Sequence, residues 1–596
     1  MKRLLFVSLI LVLLLSFTSC GFLLPKILGM GENYYYSDFT DDEKSIFNEY
    51  IGTVIPFAPN NEYYVGGYYD IDDYENGVNY YTIGNTYSDF VEYRKMYSSY
   101  VLDEIYEDEE GDTWYSYTKG DVTVNLSYYY YDGSYFIDVY VYSSLSLGGV
   151  GDGEVITNAN KGLPTADDGV YELDFTKATQ VKNVTEQGRY LDGCPTTGSP
   201  AVLVIPVDFK DATAASKGYS TELIADVFSG DSDKVDYYSV HDYYYISSYG
   251  ELDLDITVLD FWFRPEHRSS YYANLTAEID GVTDVIGDQV VIDEALAYLE
   301  DKIDLSRFDS DGNGTIDAVV VVETLDVDSD DLFYWAYRYW NTYTDSDGDY
   351  YEYDGVCAND YLWASYQFIF ESTDRFGNLT FDDENARNTY TYIHEFGHVL
   401  GADDYYDTAY ISHPMRGYDI MDDTLGDHNP FTKFNYGWLT SSRLIVAEDS
   451  LTLTLRDFTN SGDTVIVANN WDDSLGAYQE YYAIIYYTNN GLNSGRYGYF
   501  EENGIVVYHV NASLYRSVYD EYVCYDVYNN NTHSSDPYGT KDNLIELVKS
   551  AGNDYLFVTG ESLSELTDDN GDALLYTFTV DALSGDAATL TFTKKS

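Results

Sequence analysis

Apolar and polar positions alternate along much of the chain, in short runs separated by Gly, Asn and Asp. Val122–Tyr130 and Tyr135–Tyr142 repeat with a period of two, which predicts half-buried strands. Ser450–Leu455, Thr464–Val467, Tyr481–Tyr487, Ile505–Val510 and Thr589–Thr593 are strand-like too, with turns of Asn, Gly and Asp between them. In the middle third, Ala201–Phe209 and Leu252–Leu259 read as strands, and Ala318–Val322 as a buried β-branched strand. Helical spacing is confined to a few stretches. Phe47, Tyr50 and Ile51 mark one across Asp41–Gly52, and Phe90, Val91 and Tyr97 mark another across Tyr87–Tyr97. Thr221–Phe228 and Asp284–Lys302 are two more.

Composition narrows the picture. The chain has 596 residues, too many for one core, so several domains are expected. Asp and Glu number 103 against 31 Lys and Arg, a formal charge of −72. Such a surface repels phosphate backbones and anionic headgroups, which excludes nucleic acid as a partner. It also keeps an exported protein soluble and attracts divalent cations. Tyr is abundant, at 69 residues against 27 Phe, which suits strands with one wet end per ring.

The first twenty residues carry a leader pattern. Lys2 and Arg3 precede the apolar run Leu4–Ser16, and Phe17-Thr18-Ser19-Cys20 resembles a bacterial lipobox. Cleavage before Cys20 would leave a lipidated cysteine and tether the protein to the cell surface. An ordinary secretory leader is the other reading. Cys194, Cys357 and Cys524 remain, too few and too far apart for a disulfide framework. A Cys194 thiolate blocking a metal in a latent form is conceivable.

The chemistry concentrates at Thr391–Asp407, which contains H-E-x-x-H followed by x-x-G-x-x-D. His394 and His398 lie four residues apart, so on a helix both rings leave one face and can close on a zinc ion. Glu395 is displaced from that axis and is placed as general base. Zinc lowers the pKa of its water to about 7. Asn388 and Thr389 are candidate N-caps, and Gly401 a C-cap. Asp403, Asp404 and Asp407 are all near the third-ligand position, and spacing from His398 favours Asp404. Tyr418 and His428 are nearby candidates for an oxyanion donor, although a structural role is favoured for His428.

The extended segment H-E-F-G-H-V-L-G-A-D-D-Y-Y-D resembles the M6 family of secreted metallopeptidases, the immune inhibitor A type. Gly417-Tyr418-Asp419-Ile420-Met421-Asp422 is similar to that family's G-x-D-h-M segment, with Met421 in the turn beneath the metal. Gly426-Asp427 and Asn435-Tyr436-Gly437-Trp438-Leu439 match the close of its catalytic domain. Upstream, Val202–Phe209 resembles the first strand, and Ser239–Tyr244 with Ser248-Tyr249-Gly250 a following segment. Glu480-Tyr481-Tyr482 and Gly504–Val510 look like the domain after the protease. The resemblance covers about residues 195–515. It implies a zinc endopeptidase acting on protein or peptide substrates, stabilised by calcium, with a metzincin-like fold. The chain departs from the family at Ala402-Asp403, where Leu-Pro is frequent, and from most metzincins at Asp404, where His is usual.

Asp309, Asp311, Asn313 and Asp317 fall at loop positions one, three, five and nine, with Gly314 at six and the Thr315 carbonyl at seven. Those are the oxygen positions of a calcium loop. Position twelve is Val320, so no bidentate Glu closes it. Asp304 and Ser306 stand upstream as possible further oxygens.

The expected organisation is multidomain. Residues 1–20 are the leader. Residues 21–150 form a small Tyr-rich α+β domain, either a spacer or a pro-domain. Residues 151–193 are a linker, 194–445 the metzincin-like α/β zinc-peptidase domain, and 446–596 β-sandwich-like modules. A monomer is expected, anchored to the membrane by lipid. The competing function is a surface adhesin or glycan-binding lipoprotein on a protease scaffold.

Overall fold

A computed structural model describes the strands between Glu62 and Ser143 with Phe90 and Arg94, then 154–159, 161–178 and most of 193–595. Within that last range, 232, 280–281, 329–330, 345–349, 374–378, 382–386, 407–413, 423, 495–501, 517–524, 528, 533–542, 551–554, 564–565 and 569–570 are not described. The expectations for Cys20, Asp41–Gly52, Asp407 and Cys524 lie outside the described residues. Two compact units result: Met1–Glu154 with Glu278–Asp284 and Ser517–Tyr522, and the remainder.

The first unit is an antiparallel sheet of β1 (Glu62–Asp70), β2 (Glu75–Ile83), β3 (Val101–Glu107), β4 (Thr113–Lys119), β5 (Val122–Tyr131) and β6 (Ser134–Ser143). Their order is β1-β2-β6-β5-β4-β3. The alternation seen in the sequence is the pleat: Val124, Leu126, Ile137, Val139 and Val141 are buried. Phe90 and Arg94, both in helical backbone, pack on the sheet, with the Arg94 guanidinium 3.3 Å from the Tyr115 ring centre.

The second unit opens with β7 (Val170–Asp174), β8 (Ala201–Val207), α1 (Thr221–Ser229), α2 (Val240–Ser247) and β9 (Asp255–Val258). Next come α3 (Gly287–Leu299), β10 (Ala318–Glu323), β11 (Tyr337–Trp340), β12 (Asp360–Ser365), α4 (Tyr390–Val399) and α5 (Pro430–Asn435). It ends with β13 (Ser441–Ile445), β14 (Ser450–Arg456), β15 (Thr464–Val467), β16 (Glu480–Tyr487), β17 (Gly504–Asn511), β18 (Ile545–Leu547), β19 (Tyr576–Leu583) and β20 (Ala587–Lys594).

Five of these strands form a central sheet in the order β9-β8-β10-β12-β11. The first four run parallel, and β11 closes the edge antiparallel to β12. Parallel strands are covered on both faces, which is why β8 and β10 are nearly continuous apolar runs. Val202, Val204, Val320 and Leu362 pack towards α1, α2 and α4. Leu203, Ile205, Val319 and Trp363 pack towards α3 through Val291, Ile292 and Leu296.

A six-stranded sheet follows, in the order β18-β17-β16-β15-β13-β7. One face, including Tyr482, Ile484, Val465 and Val507, packs on the three-stranded sheet β14-β20-β19. The opposite face, including Tyr481, Ala483, Ile485, Val506 and Tyr508, belongs to the same core as the helix α4. Two expectations are corrected here. The position 445/446 is not a boundary between compact units, because both sides share one core. Nor is 151–193 wholly linker, since β7 pairs with β13 at the sheet edge. A five-residue strand completed by a partner far along the chain leaves little local signature.

Glu323, the last residue of β10, is fully enclosed. One carboxylate oxygen accepts from the Leu325 N–H, and the other lacks a hydrogen-bond partner. Burial pushes its carboxyl up to about 8. The folded state therefore holds a proton between pH 4.5 and 8 that the unfolded chain releases. The penalty is absent below about pH 4.5 and grows as pH rises to 8, reaching on the order of 5 kcal/mol. Glu323→Gln keeps an acceptor for Leu325 and removes the charge. It is expected to raise the unfolding temperature relative to the parent at pH 9 and to change it little at pH 5. Equal shifts at both pH values would refute the account.

Candidate metal centre

Helix α4 starts where Asn388 Oδ1 accepts the Tyr390 N–H at 2.8 Å, while Thr389 makes no side-chain cap. It ends at Gly401, whose φ of +101° turns the chain back. Three tyrosine hydroxyls hold the helix in place. Tyr244 donates to the Ile393 carbonyl at 2.6 Å, Tyr436 to Gly397 at 2.9 Å, and Tyr392 to Ser365 of β12 at 2.8 Å. Each buried ring thus has its polar end satisfied.

Met421 is fully buried against Gly397, where a Cβ would collide with its sulfur. Its turn is built by Asp419, which accepts from the Met421 N–H at 2.7 Å and the Asn429 N–H at 2.6 Å. Asp427 is equally structural: it accepts from Ser247 at 2.6 Å and pairs with the buried Lys433 at 2.7 Å.

The structure brings His394, His398 and Asp404 together. Each Nδ1 faces a carbonyl oxygen, of Ile420 for His394 and of Ala402 for His398, both at 2.8 Å. Donation there leaves Nε2 of both rings as the free lone pair. Those Nε2 atoms lie 3.0 and 3.2 Å from Asp404 Oδ1, so three ligand atoms converge and could hold a metal ion. Burial favours the neutral form of both imidazoles, but the Asp404 carboxylate outweighs it and pushes His398 up to about 10. It raises His394 as well. Burial likewise opposes the charge on Asp404, yet His398 and His394 hold it well below the usual carboxylate range. Burial raises Glu395, against the pull of the same two rings. Asp403 turns towards Asn530, and burial pushes it up to about 6.

These residues line a cleft of about 290 Å³. Glu395, His394, His398, Ala402, Asp403, Asp404 and Tyr406 form one wall, and Trp335, Ala336, Tyr337 and Arg338 the other. The sequence reading missed that second wall. Its signal was the aromatic-rich run Trp335-Ala336-Tyr337-Arg338-Tyr339-Trp340. The wall is anchored from behind, by Arg338 paired with Asp360 at 2.5 Å and Tyr337 donating to Asp288 at 2.7 Å. Neither Tyr418 nor His428 lines the cleft. Tyr418 packs on Tyr487, and His428 is enclosed by Tyr243, Tyr436 and Trp438. Cys194 is buried in the core and likewise does not line it.

A second group of possible metal ligands is Asp309, Asp311 and Asp317. Asn313 and Thr315 are engaged with each other, the Asn313 side-chain oxygen accepting from the Thr315 N–H at 2.7 Å and its hydroxyl at 2.6 Å. Asp304 accepts from Ser306 at 2.6 Å and is not among the converging carboxylates. Val320 lies in β10, which explains why no ligand follows at that position. Among the described residues no helix is long and apolar enough to cross a membrane. No family model and no curated protein matches this chain.

Proposed function

We propose that this protein is an exported zinc endopeptidase of the M6, immune inhibitor A-like type, with a metzincin-like catalytic fold. The observation that carries the reading is the convergence of two imidazole Nε2 atoms and one carboxylate oxygen beside Glu395 in a single cleft. A tetrahedral ion with bonds of about 2.0–2.1 Å sets its donors about 3.3 Å apart, against 3.0 and 3.2 Å here. The nitrogen-rich donor set suits zinc, whereas the all-carboxylate group at Asp309, Asp311 and Asp317 suits calcium. Bound zinc would supply a Lewis acid that polarises a carbonyl and makes water acidic.

The chain's own groups supply the rest. Glu395 takes the proton from the attacking water as oxygen bonds to the scissile carbon. It returns a proton to the leaving amine as the C–N bond breaks. The strand β11 stands at the edge of the central sheet and its Tyr337 and Arg338 line the cleft, which suits an extended substrate lying along it. The substrates are extracellular proteins or peptides. The leader and Cys20 support export and a lipid anchor at the cell surface.

Purified protein is expected to cleave unfolded casein. A strong chelator is expected to abolish cleavage, and one equivalent of zinc to restore it. Cleavage that survives complete removal of metal would sink the proposal.

A further inference from the structure

The loop that carries Asp404 leaves α4 without regular secondary structure of its own, so something else must hold it. Tyr405, the next residue, is pinned at three points. Its N–H donates to the Met421 carbonyl at 2.8 Å, and its hydroxyl bonds Thr432 at 2.7 Å. The third point comes from more than a hundred residues away: Asn531 Nδ2 donates to the Tyr405 carbonyl at 3.1 Å. Asn531 is fully buried and makes two further bonds to β18, giving to the Ile545 carbonyl at 2.8 Å and taking from the Ile545 N–H at 3.1 Å. Its amide is thereby locked in one orientation. The neighbouring Asn530 side chain bonds Asp403, and the Leu547 N–H donates to the Pro414 carbonyl at 3.0 Å beyond the loop.

We propose that Asn531 is a positioning residue for the metal centre, through which the C-terminal sheet sets the place of Asp404. The inference rests on the metal reading above. An isolated carboxylate on an irregular loop would sample several orientations. Fixing the two peptide planes that flank Tyr405, one through its N–H and the other through its C=O, restricts Asp404 to the orientation that meets both imidazoles. The entropy of ordering the ligand is then spent on folding rather than on metal binding.

The test uses the full chain and measures zinc affinity by competition with a chromogenic chelator. Asn531→Ala is expected to weaken zinc binding by about 10- to 100-fold. Asn529→Ala is the control: Asn529 is buried in the same loop, and its side-chain amide donates to the Asn511 carbonyl at 2.9 Å. It is expected to leave zinc affinity within a few-fold. Parent-like affinity in Asn531→Ala, or equal losses in both variants, would overturn the inference while leaving the metal centre intact. Parent protein that takes up no zinc would remove the metal reading and this inference with it. If Asn531→Ala does not fold, hydrogen exchange on the parent decides. Coupling between binding free energies is reciprocal, so zinc is expected to slow exchange of the Ile545 amide. Exchange there unchanged by zinc would overturn the coupling.

Discussion

Glu395→Gln is expected to lower peptide hydrolysis by about 10²- to 10⁴-fold, with zinc content and unfolding temperature close to those of the parent. Glu395 sits one residue along α4 from His394 and lines the same cleft, yet it is not among the converging ligand atoms. Gln reproduces its volume and one acceptor oxygen, so packing around the helix is preserved. What Gln lacks is the capacity to accept a proton in the transition state. The loss is therefore expected in kcat, with KM changed little, because the group acts on the reacting water more than on substrate binding. The measurement is steady-state cleavage of a quenched peptide alongside metal analysis. Undiminished turnover in the variant would show that Glu395 is not the base. A variant that had also lost its zinc would point to a ligand role instead.

A chain ending at Ile445 is expected not to fold. In the intact protein the inner face of the six-stranded sheet is the lid of the core that contains α4. Ile466, Tyr481, Ile485, Leu492, Val506 and Tyr508 all contribute to that core and would be missing. At about 1.5–3 kcal/mol for each buried side chain, these six already match the whole stability of a domain, about 5–15 kcal/mol. Asn531 and β15, one of the two strand partners of β13, would be lost as well. The expected observation is an insoluble product, or one without a cooperative thermal transition. The full second unit, by contrast, should unfold with the segments before and after Ile445 in one step. A soluble, cooperatively folding chain ending at Ile445 would contradict the shared core.

The same core explains where the sequence was and was not legible. The run Glu480–Tyr487, E-Y-Y-A-I-I-Y-Y, was readable as a strand. The structure buries it on both faces. Which two layers would cover it was not readable, because the partners Phe578 and Phe592 on one side and Met421 and Tyr436 on the other are distant in sequence. The sheet order β9-β8-β10-β12-β11 and the antiparallel edge were likewise out of reach, since strand pairing is set by packing between far-apart segments. The polar run Asn529–Asp536 reads as loop, and nothing in it distinguishes Asn531 from an exposed asparagine.

What the sequence determined by itself was local. The 3.6-residue period of a helix sets His394 and His398 on one face, and Gly401 turns the chain back toward them. Those facts follow from covalent geometry and short-range sterics. The tertiary structure brought Asp404, which the spacing favours, rather than its neighbour Asp403 to the two imidazoles. It also brought Trp335–Arg338 to the cleft and joined the segments before and after Ile445 through a single core. Those outcomes depend on burying apolar surface between segments hundreds of residues apart, and no local window of the chain carries that information.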